Sequence, residues 1–123
     1  MTTTVFSISP FRDVHDIDVT TTKGRRFTID IYKNNGGFDS EVTVLDRVSS
    51  TPGSWLYKTN PASASAKDNF SAAVQLIQDY LAQVDAQDSV NDIHNPCNTP
   101  FLSDADQNAV LAQKGLNLNA RVN

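Results

Sequence analysis

Four carboxylates, Asp16, Asp18, Asp30 and Glu41, carry the strongest chemical suggestion in this chain. Each falls in a short run of alternating apolar and polar residues, HDIDVTT, RRFTIDIYK or EVTVLDRV. Such runs put the acids on the polar face of strands. Where neighbouring strands bring like charges face to face, the pairing is unfavourable unless something offsets it. A bound Ca²⁺ or Mg²⁺ would do so through oxygen ligands. Arg26, Lys33 or a partner's basic group would also do so, and strand order, a bulge or water would remove the conflict. Paired carboxylates also serve glycosidases, but nothing else in the chain suggests a sugar cleft.

His94 and Cys97 form the second constellation. A Cys–His pair needs an oriented base and an oxyanion site, and zinc needs four ligands or three plus water. The only other histidine is His15, and there is no second cysteine. The alternative is a loop cysteine acting as a small hydrophobe. These residues predict neither an enzyme nor a cofactor, with Ca²⁺ at the carboxylates as the exception. A lone cysteine rules out an internal disulfide and fits a reducing compartment.

The elements that must position the acids centre on RRFTIDIYKNNGGFDSEVTVLDRV, residues 25–48. A two-residue Asn35-Gly36 turn predicts a hairpin in which Asn34 pairs with Gly37. That register sets Ile31 against Ser40, Ile29 against Val42 and Phe27 against Val44 on one face. Arg26, Thr28, Asp30 and Tyr32 meet Asp39, Glu41, Thr43 and Leu45 on the other, with Asp30 opposite Glu41. A preceding strand over 15–22 joins through a three-residue Thr22-Lys23-Gly24 loop with Gly24 left-handed. It brings Asp16 or Asp18 near Asp30. Lys23, Arg25 and Arg26 gather at this hairpin end, which reads as a solvated turn or, repeated in an oligomer, as a surface for an anion.

Further strands are expected over 3–9, 41–48 and 55–59, with Trp55 and Tyr57 on one face and Leu56 on the other. Trp55 and Tyr57 suit core packing, with base stacking or an interface as the sharper role. A long helix over about 63–86 carries Phe70, Val74, Ile77, Leu81 and Val84 at 4-3-4-3 spacing. At 1.5 Å per residue it spans roughly 35 Å, against roughly 20–25 Å for five strands. Its overhang invites a second subunit. Residues 87–102 read as a crossing loop. Ser103 then caps a second helix with Asp106 at the capping-box position, and Gly115 and Leu116 close it. The tail over 116–122 alternates and suits a strand added to an edge.

The 123 residues fit one domain, its sheet in 1–60 and its helical part in 61–123. No apolar run reaches transmembrane length, and no signal peptide is expected. The net charge of −4 is uneven: eight Lys+Arg and seven Asp+Glu in 1–67 give +1, and two and seven in 68–123 give −5. No basic arm is present, so non-specific nucleic-acid binding by a monomer should be weak.

Antiparallel strands, a polar-faced central hairpin and then an amphipathic helix resemble the coat proteins of single-stranded RNA bacteriophages. RRFTIDIYKNNGGFDSEVTVL is similar to their central hairpin, and ASAKDNFSAAVQLIQDYLAQ to their first helix. The resemblance covers roughly 45 residues. It implies an interlocked dimer with helices lying across the partner's sheet, and a shell of dimers around single-stranded RNA. Arg26, Thr28, Asp30, Tyr32, Glu41 and Thr43 would then face RNA. Asp30 and Glu41 depart from the neutral or basic residues that the family prefers there.

The resulting expectation is an α+β fold, an antiparallel sheet of about five strands with two helices on one face. The leading functional reading is a self-assembling, non-enzymatic coat protein of a virion, formed in the host cytoplasm. Its subunit interface would bury Phe70, Val74, Ile77, Leu81 and Val84. The alternatives are a small acidic protein-binding module, such as an inhibitor of a nucleic-acid enzyme, and a small hydrolase using surface carboxylates.

Overall fold

The computed structural model describes residues 14–34, 37–49, 53–58, 65–95 and 102–122. The strand expected over 3–9 lies outside them. Four strands form an antiparallel meander: β1 (Val14–Thr21), β2 (Arg26–Asn34), β3 (Gly37–Asp46) and β4 (Gly53–Lys58). Helix α1 (Ala66–Val84), strand β5 (Val90–Asn95), helix α2 (Asp104–Gln113) and strand β6 (Arg121–Val122) follow. The described sheet runs β4-β3-β2-β1-β5-β6. The fold is α+β.

The meander follows from alternation and turn chemistry. Asn34 pairs with Gly37, Ile31 with Ser40, Asp30 with Glu41 and Phe27 with Val44, the register that a two-residue turn imposes. On the other side Ile17 pairs with Ile29 and Val19 with Phe27. The connecting loop closes with the Thr21 N–H on the Arg25 carbonyl, and Gly24 takes φ +102°. That backbone strains any side chain larger than glycine's.

Ile17, Val19, Phe27, Ile29, Ile31, Val42 and Val44 project from one face and are buried. Helix α1 lies over β2 and β3 on this face, and α2 packs beside α1. Ser65 caps α1 by accepting from the Asp68 N–H, and Ser103 caps α2 by accepting from the Asp106 N–H. Gly115, at φ +75°, ends α2. Its N–H bonds to the Ala112 carbonyl and that of Leu116 to the Leu111 carbonyl, a Schellman closure.

One expectation is corrected. Residues 90–95, read as loop, form β5 beside β1, and β6 adds to β5 in parallel. The second half of the chain therefore contributes strands as well as helices. The apolar stripe of α1 serves this chain's own core: Phe70 is 0 %, Val74 1 %, Ile77 1 % and Leu81 4 % exposed within a single chain. Among the five proposed interface residues only Val84, at 44 %, is exposed. The physical reason is a matter of lengths. Nineteen helical residues span about 28 Å, and six strands span about 24 Å, so the helix barely overhangs.

Arg25 is also corrected. Instead of standing in a solvated turn, it is 1 % exposed. Its Nε donates to Asp46 at 2.9 Å, and its Nη1 to Asp88 at 2.8 Å and Asp85 at 3.0 Å. Its Nη2 donates to the Ser49 hydroxyl. Asp46 further accepts from the Tyr80 hydroxyl at 2.7 Å, and Asp88 from the Thr21 hydroxyl at 2.6 Å. The cluster joins the β1–β2 turn, the end of β3 and the end of α1.

Burial opposes the charge on Asp46. The Ser49 hydroxyl and N–H, Tyr80 and Arg25 outweigh it and hold the carboxyl well below the usual range. Asp88 is likewise held down to about 2, because Thr21, Arg25, the Lys23 N–H and Thr22 outweigh its burial. Depressed carboxylates stabilise the fold above their unfolded values near 4, and that contribution disappears as pH falls toward 2. Acid titration followed by circular dichroism should therefore show unfolding set in below about pH 4, and at higher pH for Asp88→Asn.

Candidate functional site

The sheet face opposite the helices gathers most of the residues singled out for chemistry. No described helix covers it. Its rows follow from strand register. Asp16 of β1, Asp30 of β2 and Glu41 of β3 stand abreast, with Lys58 of β4 at the next register position. The adjacent row runs His94, Asp18, Thr28, Thr43. A third runs Asp92, Thr20, Arg26, Leu45. Tyr32 and Asp39 pair beyond the first row. Arg121 of β6 pairs with His94.

All six residues expected on the polar face, Arg26, Thr28, Asp30, Tyr32, Glu41 and Thr43, take that face together. Of the carboxylate candidates, Asp16 meets Asp30 directly, while Asp18 lies one row away. The Tyr32 hydroxyl donates to Glu41 at 2.9 Å. The Asp30 carboxyl is part-buried, and strand register sets it directly opposite Asp16. Burial, the adjoining Asp16 carboxyl and the charges of Glu41 and Asp18 push it up to about 7.

Asp16, Asp30 and Glu41 form one row across the strands. Among the described residues, no three or more His, Cys, Asp or Glu side chains converge as a metal ligand set. His94 stands opposite Asp18 on this face, and Cys97 lies outside the described residues. The backbone sets Trp55 against Val44 and Tyr57 against Val42. No described helix is long and apolar enough to cross a membrane.

Asp92 and Arg121 were not foreseen as site residues. The Arg121 Nε and Nη2 hold both Asp92 oxygens, at 2.9 and 2.8 Å. The Arg121 guanidinium lowers the Asp92 carboxyl below its ordinary value. Only the alternation of the tail hinted at this, since VNDIHN carries no clean strand period.

By register the face carries six carboxylates, Asp16, Asp18, Asp30, Asp39, Glu41 and Asp92, against the position of Lys58 and two guanidinium groups, Arg26 and Arg121. One of those guanidinium groups is already bound to Asp92. The surface can attract cations and repel polyanions. Comparison with protein-family models, with curated proteins and with solved structures finds no match to this chain.

Proposed function

We propose that this chain is a non-enzymatic binding module that docks a basic protein segment on the uncovered face of its sheet. The observation that carries the reading is the charge of that face, six carboxylates against two arginines and one lysine, on a sheet whose other face is the core. The acids lie on a sheet face that no described helix covers, and this suits electrostatic recognition better than catalysis. Enzymes that handle nucleic acid expose basic surfaces, so an inhibitor of such an enzyme fits the same charge pattern.

The test is a fluorescence titration with two probes, a lysine-rich peptide and a single-stranded oligoribonucleotide. The peptide should bind and the RNA should not. Raising salt from 50 to 300 mM should weaken peptide binding, because exposed charges are screened within about 10 Å. The Asp16→Asn/Asp30→Asn/Glu41→Gln variant should lose at least three-quarters of the affinity. RNA binding without peptide binding would reject the reading.

A self-assembling, coat-like protein is the second reading. It is favoured by the central hairpin register and by β4 standing at the margin of the described sheet, where an edge can add strands. In this reading RNA meets the acidic face only with help from other cations. Negative-stain microscopy separates the two, since closed particles belong to the coat alone.

A further inference from the structure

We propose that the C-terminal tail, residues 116–122, is a removable strand, and that the tail of a second copy of this chain takes the same seat on β5 by exchange. The seat lies at the margin of the described sheet and does not depend on the docking reading above.

Three kinds of contact build the seat. The Asp92 carboxylate accepts from the Arg121 Nε and Nη2 at 2.9 and 2.8 Å. The Asn108 side-chain oxygen, on α2, accepts from the Ala120 N–H at 3.0 Å. Leu116, Leu118 and Ala120 pack against the margin of the core. In register, β6 meets β5 at His94 and Asn95. Together these contacts select an extended segment with alternate apolar residues followed by an arginine. Strand addition works in this way, with main-chain pairing for affinity and alternate side chains for choice. Residues 116–121 supply that chemistry, so every copy carries both the seat and its occupant.

The tail is lightly held. None of residues 116–121 is buried. The Arg121–Asp92 pair is open to water, with side-chain exposures of 61 % and 33 %, and such pairs hold weakly. At the root of the tail Leu116 borders a groove of about 240 Å³ shared with Leu81, Ala82 and Val90, so part of its surface has no packed neighbour. The closure at Gly115 and Leu116 ends α2 on the Ala112 and Leu111 carbonyls without help from the later residues. The chain can therefore pivot beyond Leu116 while α2 stays intact. Segments with few buried contacts open locally while the rest of a fold stays closed.

A released tail finds the same contacts in another copy, and exchange of an identical element is a low-cost route to a dimer. The chain's own tail competes, acting as a ligand at millimolar effective concentration. Exchange is then visible near millimolar protein. A change that weakens the tail's own hold without touching the seat should bring it to lower concentration.

The experiment is an NMR titration of the ¹⁵N-labelled full chain with the peptide GLNLNARVN, residues 115–123. The wild type should bind with a Kd in the millimolar range, moving the His94 and Asn95 amides. Arg121→Glu weakens the chain's own tail and leaves the seat intact, so it should bind the peptide about three- to tenfold tighter, the scale of losing one exposed attraction and gaining a repulsion. Asp92→Arg breaks the same ion pair from the side of the seat. It should gain nothing from this peptide and should instead prefer the peptide carrying Arg121→Glu. A merely structural ion pair would make the two variants respond alike, and that result would overturn the proposal. So would the absence of any shift in Arg121→Glu at about 2 mM peptide, or equal binding of a scrambled peptide of the same composition. In a second arm the two full-length variants are mixed at about 1 mM each. Exchange reunites opposite charges at both seats, so the mixture should tumble more slowly, by NMR relaxation, than either variant alone. Unchanged tumbling would overturn exchange between copies.

Discussion

Arg25→Ala is expected to destabilise the fold by about 3–5 kcal/mol in denaturant unfolding, the cost of removing one partner from a buried ionic cluster. Asp46 and Asp88 have side chains with 0 % exposure, and both would keep a charge without its cation. Neutralising them by protonation instead would forfeit hydrogen bonds from Ser49, Tyr80 and Thr21, which their charged forms accept. Small domains hold about 5–15 kcal/mol in total, so the variant should be partly unfolded at room temperature. Arg25→Lys should fall between wild type and alanine. An ammonium keeps the charge but cannot reproduce the planar fork that reaches Asp46, Asp85, Asp88 and Ser49 together. A loss below 1 kcal/mol for alanine would mean that water already solvates the cluster.

This effect was hidden in the sequence for a physical reason. Arginine is almost never fully buried without partners, and nothing local to Lys23-Gly24-Arg25 announces them. The partners come from the end of β3, the C-cap of α1 and the loop before β5, 21, 60 and 63 positions away. Only the tertiary fold brings them to one place.

The meander was legible because each of its determinants is local. Alternation in TIDIY and EVTVL assigns faces, and the length of each turn assigns register. The pair Asp30–Glu41 followed from those two facts, which left Asp16 or Asp18 as the neighbour of Asp30; the fold places Asp16 there. β5 was not legible. VNDIHN offers Val90 and Ile93 at a spacing of three, interrupted by residues that disfavour strands, and a register shift between Thr20 and Thr21 accommodates them. Pairing with β1 overrides local preference, and it carries Asp92 and His94 onto the polar face. The remainder of the site, Arg121, depends on β5 in turn.

The other large effect concerns Phe70, and it separates a core helix from an interface helix. Phe70→Ala should cost about 3–5 kcal/mol, the usual range for a buried phenylalanine. What matters is how that cost depends on protein concentration. If Phe70 packs only within its own chain, the denaturant midpoints of wild type and variant are the same at 1 and 100 μM. If it were buried by a second copy, stability would rise with concentration, by about 2.7 kcal/mol over that hundredfold range. Val84 supplies the control, since it belongs to the same stripe yet is 44 % exposed. Val84→Ala should change stability by no more than about 0.5 kcal/mol, as exposed substitutions do. A concentration-independent loss at Phe70 beside a negligible one at Val84 would mean that the stripe ends where the chain's own core ends. Concentration-dependent losses at both positions would restore the stripe as a subunit interface and favour the coat-like reading over the docking module.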